Sequence, residues 1–381
     1  MESAPLYLIF LLLWIASLWP AIRLCRLGRI SKRQEREPLR ADVPPASIVI
    51  ACHNNAPQLR ENLPALLQQE YPTEFEVIVV DMHSTDETKD LLENFAYTYP
   101  HLHHTHCPTT ARDISLQRLA LTLGVRAAAH EWIVFTEADC TVSGPQWLLH
   151  MTQPCTDERD AVLGVMLYDE DGTWRGRKFQ FFHLWQQTLW LPHAIHHAPY
   201  QADGAALCYR RSHFMQHQGF ASSALWEVGA ETLLVNHNIR AGRCDANLRP
   251  QAIVRKPLPT NHKWREDSLR SVATHHQIRQ GFLYLLSYAF RETCHLLFPL
   301  SAISLFAVAW GNPYVMVPVA LMWLALIVLR LVMFRQTTRQ LGIRSFNLSL
   351  PWLLHMPLIW GISAWLRWLG SDKKMFRKKF V

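Results

Sequence analysis

Between residues 46 and 255 the sequence alternates short apolar runs with stretches of helical spacing, and this alternation is what most constrains the fold. Three runs have the length and composition of buried strands: residues 47–51, 75–80 and 132–135. Two stretches of helical spacing lie between them: residues 58–69 and 111–129. Because strands that alternate with helices usually pair in parallel, the pattern predicts an α/β domain with a mainly parallel sheet.

Both ends of the chain are apolar in a way that predicts membrane attachment. Residues 6–22 carry no charge, and basic residues follow at once, so we expect an uncleaved N-terminal anchor whose next residues lie in the cytoplasm. Residues 295–310 and 313–329 predict two further spans joined by Gly311 and Asn312. Residues 351–365 are apolar too, but a basic tail follows them, which favours an interfacial or re-entrant helix.

These patterns predict four segments: a transmembrane anchor with its basic flank (1–34), an α/β domain (35–255), an interfacial helical segment (256–290) and a membrane region (291–381). The formal net charge of +7 comes largely from the flanks of the apolar runs, which favours contact with anionic membrane lipids and not with nucleic acid. The eight cysteines are scattered without a Cys-x-x-Cys pair, as expected for reduced thiols in a cytoplasmic domain.

Two carboxylates, Glu137 and Asp139, stand one residue apart where the third predicted strand ends. Side chains at the carboxyl end of a parallel strand face the crevice in which α/β domains bind ligands. Hard oxygen ligands at such a place can hold Mg²⁺ or Mn²⁺ against a diphosphate. An acidic loop with both side chains in water accounts for the same residues, so the pair alone leaves both interpretations open.

Six segments, in order, resemble the landmarks of the family 2 glycosyltransferases, and of their membrane-bound bacterial members in particular. The segments are residues 47–54 (SIVIACHN), 63–72 (LPALLQQEYP), 75–88 (FEVIVVDMHSTDET), 136–140 (TEADC), 204–211 (GAALCYRR) and 229–232 (GAET). The resemblance implies a nucleotide-diphospho-sugar transferase domain of the GT-A, Rossmann-like fold. It also implies inverting transfer from a nucleotide-diphosphate sugar to a lipid-linked or growing glycan acceptor, with a divalent cation (Mg²⁺ or Mn²⁺), at the inner face of the bacterial plasma membrane.

On the donor side, the resemblance assigns the metal to Asp139, the last carboxylate of an Asp-x-Asp motif, and to Glu137, which replaces the first aspartate. Asp139 is also expected to contact the nucleotide. Asp81, after the second strand, is expected to bind the nucleotide, as is Asn54, although Asn54 could equally close the turn after the first strand. Arg118 precedes the metal strand, where relatives often carry a basic residue near the phosphates; a solvated helix face is the alternative.

On the acceptor side, Glu231 matches the aspartate of the family's Gly-Glu-Asp motif and is expected to act as general base. Glu227, one helical turn earlier, is a rival for that role. Asp203 is expected to line the acceptor side of the crevice, with a plain turn as the alternative. Trp264 is expected to stack on an acceptor sugar.

The sequence departs from the family pattern at several of these landmarks. Met82 and Ala230 stand where relatives often carry acidic residues, and Glu266 and Asp267 stand where an amide and a positive charge are expected. These departures motivate a second hypothesis, a weakened or non-catalytic member that binds nucleotide sugar or a partner enzyme at the membrane. A membrane transporter is disfavoured because the predicted C-terminal spans carry no acidic residue at their centres.

Overall fold

The computed structural model describes residues 4–108, 115–169, 171–223, 229–275, 277–279, 297–342 and 369. The chain divides into two units by internal contacts. The smaller unit contains Met1–Ile30 and Gln280–Ser363, and the larger contains Ser31–Arg279 and Ala364–Val381.

Ten strands lie in the described part of the larger unit. In chain order they are β1 (Ala46–Cys52), β2 (Phe75–Asp81), β3 (Leu102–His106), β4 (Trp132–Glu137), β5 (Thr141–Val142), β6 (Ala161–Leu163), β7 (Met166–Tyr168), β8 (Leu207–Arg210), β9 (Cys244–Ala246) and β10 (Val254–Lys256). The described helices of the whole chain are α1 (Ala4–Ala16), α2 (Trp19–Arg36), α3 (Ala56–Leu67), α4 (Thr88–Thr98), α5 (Leu116–Ala127), α6 (Trp147–Thr152), α7 (Trp174–His196), α8 (Arg211–Gln216), α9 (Ala230–Asn238), α10 (Asn261–His275), α11 (Leu297–Val308) and α12 (Pro313–Gln340).

The main sheet has the strand order β3-β2-β1-β4-β8-β6-β9. The first four of these strands pair in parallel, which confirms the predicted α/β domain with a mainly parallel sheet. β8 is antiparallel to both β4 and β6, so this side of the sheet is mixed. Because β1 lies between β2 and β4, the chain leaves β1 to one side and later returns to the other, which creates a crevice at the carboxyl ends of β1 and β4.

The three predicted strands form the buried centre of this sheet. β1, β2 and β4 are apolar and buried along nearly their whole length, as expected for strands covered on both faces. The predicted apolar face of α3 packs into the same core through Leu59, Leu63, Leu66 and Leu67. This core fixes the register in which Cys52 aligns with Asp81, and Ala51 with Glu137, so the two carboxylates flank the end of β1.

A second, three-stranded sheet has the order β5-β10-β7. β10 is antiparallel to β5 and parallel to β7, with Lys256 aligned to Tyr168. The backbone N–H of Asp169 donates to the Lys256 carbonyl at 2.8 Å. Since β5 begins only four residues after β4 ends, this sheet carries the Lys256 side chain to the carboxyl end of β4.

The smaller unit packs α1 against α11 and α12 through an apolar cluster that includes Phe10, Phe298 and Leu326. Trp14 Nε1 donates to the Met322 carbonyl at 2.9 Å. Among the described residues, only α12 is both long and apolar enough to cross a membrane. It begins where the second C-terminal span is predicted and runs on to Gln340.

The N-terminal span predicted over residues 6–22 is not one continuous helix. α1 ends at Ala16, a turn follows, and α2 begins at Trp19. Pro20 has no amide hydrogen to extend the α1 hydrogen-bond ladder to Ala16, which explains the break. α11 is described only as a shorter apolar helix, and the helix predicted over residues 351–365 lies outside the described residues.

Candidate active site

The end of β4 presents two acidic side chains on one side. Glu137 is the last residue of the strand, and a turn follows in which the Cys140 N–H donates to the Glu137 carbonyl at 3.1 Å. Ala138 and Cys140 point into the core and are 5% and 1% exposed. Because alternate residues are anchored inward, Glu137 and Asp139 both face a cavity in the crevice beyond the strand.

This cavity has a volume of about 210 Å³ and lies at the carboxyl ends of β1 and β4. The described residues that line it are Ala51, His53, Asn55, Met82, Gln117, Leu121, Thr136, Glu137, Ala138, Asp139, Gly204, Glu231 and Lys263. It therefore brings together the predicted metal pair and the predicted base, which are about a hundred residues apart in sequence. The rival base Glu227 lies outside the described residues.

Glu231 lies in the first turn of α9 and reaches the cavity over Gly204. A Cβ atom on residue 204 would lie 2.7 Å from Glu231 Cδ, so glycine is what leaves room for the carboxylate. Burial raises the pKa of Glu231 to about 7, assisted by the negative charges of Glu137 and Asp203 and opposed by Arg118. A carboxylate with a pKa close to neutral pH is suited to general base catalysis.

Asp203 lies beside Glu231 and caps the turn Gly204–Ala206, where its side chain accepts a hydrogen bond from the Ala205 N–H at 3.1 Å. Its Oδ2 also lies 3.4 Å from Nε2 of His183 on α7. Burial would raise the pKa of Asp203, but His183, with help from Lys256, more than offsets it and lowers that pKa. Asp203 therefore does form a turn, which was the alternative interpretation of this residue. Its role on the acceptor side stays a prediction.

Asp81 and Asn54 connect the two loops that border the cavity on the donor side. The Ser84 N–H donates to Asp81 Oδ1 at 3.1 Å, and the Ser84 hydroxyl accepts from the Asn54 N–H at 2.8 Å. Asn54 adopts a left-handed conformation, and its side chain accepts from the Thr85 N–H at 2.8 Å. Both side chains therefore close turns, and their roles in nucleotide binding stay predictions.

Trp264 belongs to an aromatic cluster between α10, α7 and β7. Its ring stacks on Phe179 at a centroid distance of 4.3 Å and meets Phe182 and Tyr168 edge-on, at 5.1 and 6.5 Å. One face of Trp264 is thus covered, and stacking on an acceptor sugar stays a prediction for the rest of the ring. The preceding residue, Lys263, lines the cavity.

Lys256 lies beside the cavity, and the sequence did not indicate it. Its Nζ lies 2.5 Å from Glu137 Oε2 and 3.9 Å from Asp139 Oδ1, and its side chain is 18% exposed. Burial alone would lower the pKa of Lys256, but the two carboxylates raise it well above its usual value, so the side chain is charged. Nothing local marks this lysine, because it reaches the site through pairing of β10 with strands that lie far apart in the sequence.

The described residues do not form a complete metal site. No group of three or more His, Cys, Asp or Glu side chains among them is arranged to hold a metal ion. Of the two predicted ligands, Glu137 is already paired with Lys256, and Asp139 has the longer contact. The metal role of both residues stays a prediction.

Comparisons with known proteins found similarity in sequence and in fold. Residues 47–218 match the model of glycosyl transferase family 2. This match spans 172 of the 381 residues, and over that range the chain is similar to family 2 glycosyltransferases. The matched residues include Glu137, Asp139 and Asp203, whereas Glu231 and Lys256 lie beyond them.

Individual relatives are distant. The uncharacterized glycosyltransferase YibD of Escherichia coli (strain K12) is 25% identical over 116 residues, which cover 30% of this chain and 32%, about a third, of YibD. The mannosyltransferase PcManGT from Pyrobaculum calidifontis, solved in complex with GDP-Man and Mn²⁺, superposes with a TM-score of 0.58 at 20% identity, covering 96% of this chain and 100% of that one. Residues 1–349 of S. aureus TarS superpose with a TM-score of 0.41 at 15% identity, covering 86% and 92%. The likeness to PcManGT shows a GT-A-like fold.

Proposed function

We propose that the domain transfers a sugar from a nucleotide-diphosphate donor to an acceptor hydroxyl, with Glu231 as general base. The observation that carries this proposal is the position of Glu231, whose pKa of about 7 suits a base, in the same cavity as Glu137 and Asp139. The match of residues 47–218 to family 2 supports this reaction class, and the cavity lies at the switch point of the sheet, where such folds bind their ligands.

In this reaction the acceptor oxygen attacks the anomeric carbon while Glu231 takes the hydroxyl proton. The bond between the anomeric carbon and the diphosphate oxygen breaks on the opposite face, and the configuration inverts. Asp203, held by His183 and the adjacent turn, lies on the acceptor side of Glu231. Lys263 faces the cavity, where its positive charge favours the departing diphosphate.

The donor class is a hexose linked to GDP or UDP. PcManGT, which shares the fold, was solved with GDP-Man and Mn²⁺, and that combination is the first to test. The family resemblance implies a divalent cation (Mg²⁺ or Mn²⁺) that would neutralise the diphosphate, but Lys256 already contacts Glu137 and approaches Asp139, so these residues do not fit a metal unless the lysine moves away. The described residues do not complete a metal site. The proton transfer is therefore assigned to Glu231, and the charge that favours the departing diphosphate is assigned to Lys263.

The acceptor is lipid-linked or a growing glycan at the cytoplasmic face of a bacterial inner membrane. The support for this part of the proposal is α12, a helix long and apolar enough to span a bilayer, and the basic residues of α2. α11 would supply a further pass.

The test uses the purified full chain in nanodiscs, titrated calorimetrically with GDP-mannose, UDP-glucose and UDP-N-acetylglucosamine, each with and without Mn²⁺. Turnover is then measured as release of the nucleoside diphosphate in the presence of a bacterial lipid extract. We expect one donor to bind and to be consumed only when the extract is present. Binding without turnover on any extract would support the non-catalytic alternative, and the absence of binding to every donor would contradict the proposal.

A further inference from the structure

The ammonium group of Lys256 lies close to the carboxylates of both Glu137 and Asp139, in the position of a cation shared by the two. Its ammonium contacts Glu137 Oε2 at 2.5 Å and approaches Asp139 Oδ1 at 3.9 Å. Lysine presents a compact point charge, which suits a position between two carboxylates. The pair therefore already has a positive partner from within the chain.

Lys256 is positioned by a paired strand, β10, and not by a loop. β10 is paired on one side with β5 and on the other with β7, and the Lys256 carbonyl accepts from the Asp169 N–H at 2.8 Å. The side chain is 18% exposed, so most of its length is packed. An ammonium that a paired strand delivers loses little freedom when it meets its carboxylate, which favours a persistent contact.

A divalent cation would have to compete with this ammonium. A metal bound by both Glu137 and Asp139 would lie within a few ångströms of Lys256 Nζ, and like charges at that distance repel strongly in a partly buried site. Meanwhile Lys263 already offers a positive charge on the cavity wall, where an anionic ligand would enter. Lys256 thus offsets part of the negative charge of the two carboxylates without a metal.

We propose that Lys256 is a positioning residue that acts as the resident cation of the Glu137–Asp139 pair and thereby lets the site bind a nucleoside diphosphate with little dependence on divalent metal. The inference rests on the proposed function for its ligand class. The role of Lys256 toward the two carboxylates is tested by measuring metal binding, which requires no turnover.

The first experiment measures Mn²⁺ binding to the nucleotide-free full chain, with electron paramagnetic resonance of unbound Mn²⁺ as the readout. The variants are Lys256→Met, Lys256→Gln as a polar replacement, and Lys89→Met, a control that removes a lysine paired with Glu93 on the surface of α4. We expect the wild type and Lys89→Met to bind Mn²⁺ equally weakly. Both Lys256 variants should bind it at least about tenfold more tightly, because both carboxylates are released.

A gain in Mn²⁺ affinity is an effect that general damage to the fold does not produce. Equal Mn²⁺ affinity in the wild type and in a folded Lys256 variant would overturn the proposal. If neither variant folds, the Mn²⁺ affinity of the nucleotide-free wild type tests the proposal. Binding at about micromolar concentration or below would show that Lys256 does not occupy the position between the two carboxylates.

The second experiment titrates GDP and UDP into the same proteins, in EDTA or in Mn²⁺. In the wild type we expect the affinity to differ by less than about threefold between the two conditions, and in Lys256→Met by about tenfold or more. A wild-type affinity that rises about tenfold with Mn²⁺ would overturn the proposal. If no variant binds either nucleotide, the proposed function fails, while the Mn²⁺ titration still decides the role of Lys256.

Discussion

Glu231 owes its proton affinity to neighbours that are distant in the sequence. Burial in the cavity acts together with Glu137 at the end of β4 and Asp203 before the turn Gly204–Ala206, and Arg118 on α5 opposes them. The family resemblance indicated Glu231 as the candidate base. It could not predict the raised pKa, because the charges responsible converge only in the folded chain.

The pH dependence of transfer follows from this pKa. A general base works when it is deprotonated, so kcat/KM should rise with pH, by about tenfold per pH unit well below pH 7, and level off above it. The measurement is the initial rate of nucleoside diphosphate release at low donor concentration across pH 5–9. An inflection close to 4.5, the ordinary value for a glutamate, would show that the pKa of the base is not raised in the folded protein.

Gly204 should be required for the position of Glu231. In Gly204→Ala the added methyl group would meet the Cδ, Oε1 and Cγ atoms of Glu231, so we expect the carboxylate to be displaced and the rate to fall about tenfold or more. The melting temperature should fall as well. Both are measured on the purified variant.

The control is the same substitution in a Glu231→Ala background. All three nearest contacts of the added methyl group are Glu231 atoms, so truncating that residue should restore most of the lost melting temperature. If Gly204→Ala lowers the melting temperature equally in both backgrounds, the strain comes from elsewhere in the turn.

At the scale of elements, the apolar periodicity of the sequence was sufficient to predict the strands and the helix at the centre of the domain. β1, β2, β4 and α3 lie where the apolar patterns predict them, because each is long enough to carry its own signal. β6, β9 and β10 have only three residues each, too few for a recognisable pattern, and their pairing partners are distant in sequence. Lys256 was missed for that reason, since a three-residue strand positions it.

Asp86 illustrates how one loop residue joins two helices. Its Oδ2 accepts from the Ala56 N–H at the start of α3, at 3.1 Å, and its Oδ1 accepts from the Thr88 N–H and hydroxyl at the start of α4, at 3.2 and 2.6 Å. The structure gives it partners at both helix starts.

Replacing Asp86 with alanine should therefore destabilise the larger unit. Loss of a cap costs about 1 kcal/mol, which corresponds to a fall of about 2–4 °C in melting temperature for a unit of this size. Asp90→Ala, an exposed acidic residue in the first turn of α4, is the matched control and should change the melting temperature less.

The same variant has a defined pH dependence. The hydrogen bond from Thr88 is the main cause that lowers the pKa of Asp86 below its ordinary 3.8. A lowered pKa in the folded state gives stability that is present above pH 3.8 and is lost as pH falls through the folded value. The difference between wild type and Asp86→Ala should thus persist at neutral pH and shrink below that pH; a difference that stays constant into strong acid would contradict the capping role.

At the scale of the whole molecule, the apolar ends were predicted with mixed success. α12 is a single apolar helix of 28 residues, about 42 Å long and so longer than the hydrocarbon core of a bilayer. The composition of residues 6–22 predicts a membrane span, but the chain turns after Ala16. Hydropathy alone therefore overestimated the length of that helix.

Membrane insertion of the full chain is therefore a direct expectation from α12. After expression in bacteria, the protein should sediment with membranes and stay in the pellet after alkaline carbonate extraction, because an inserted helix is not released by charge or pH. Detergent should release it. Release by carbonate alone would show that α12 lies on a protein surface or at the interface and does not span the bilayer.

The most direct test of the account is the Glu231→Gln variant in a transfer assay. Glutamine keeps the size and shape of the side chain but cannot take the acceptor proton. We expect nucleoside diphosphate release to fall about 100-fold or more, while the affinity for the donor changes little, because Glu231 acts on the acceptor. Transfer at the wild-type rate by a folded Glu231→Gln protein would contradict the central claim that Glu231 is the base of a sugar transferase.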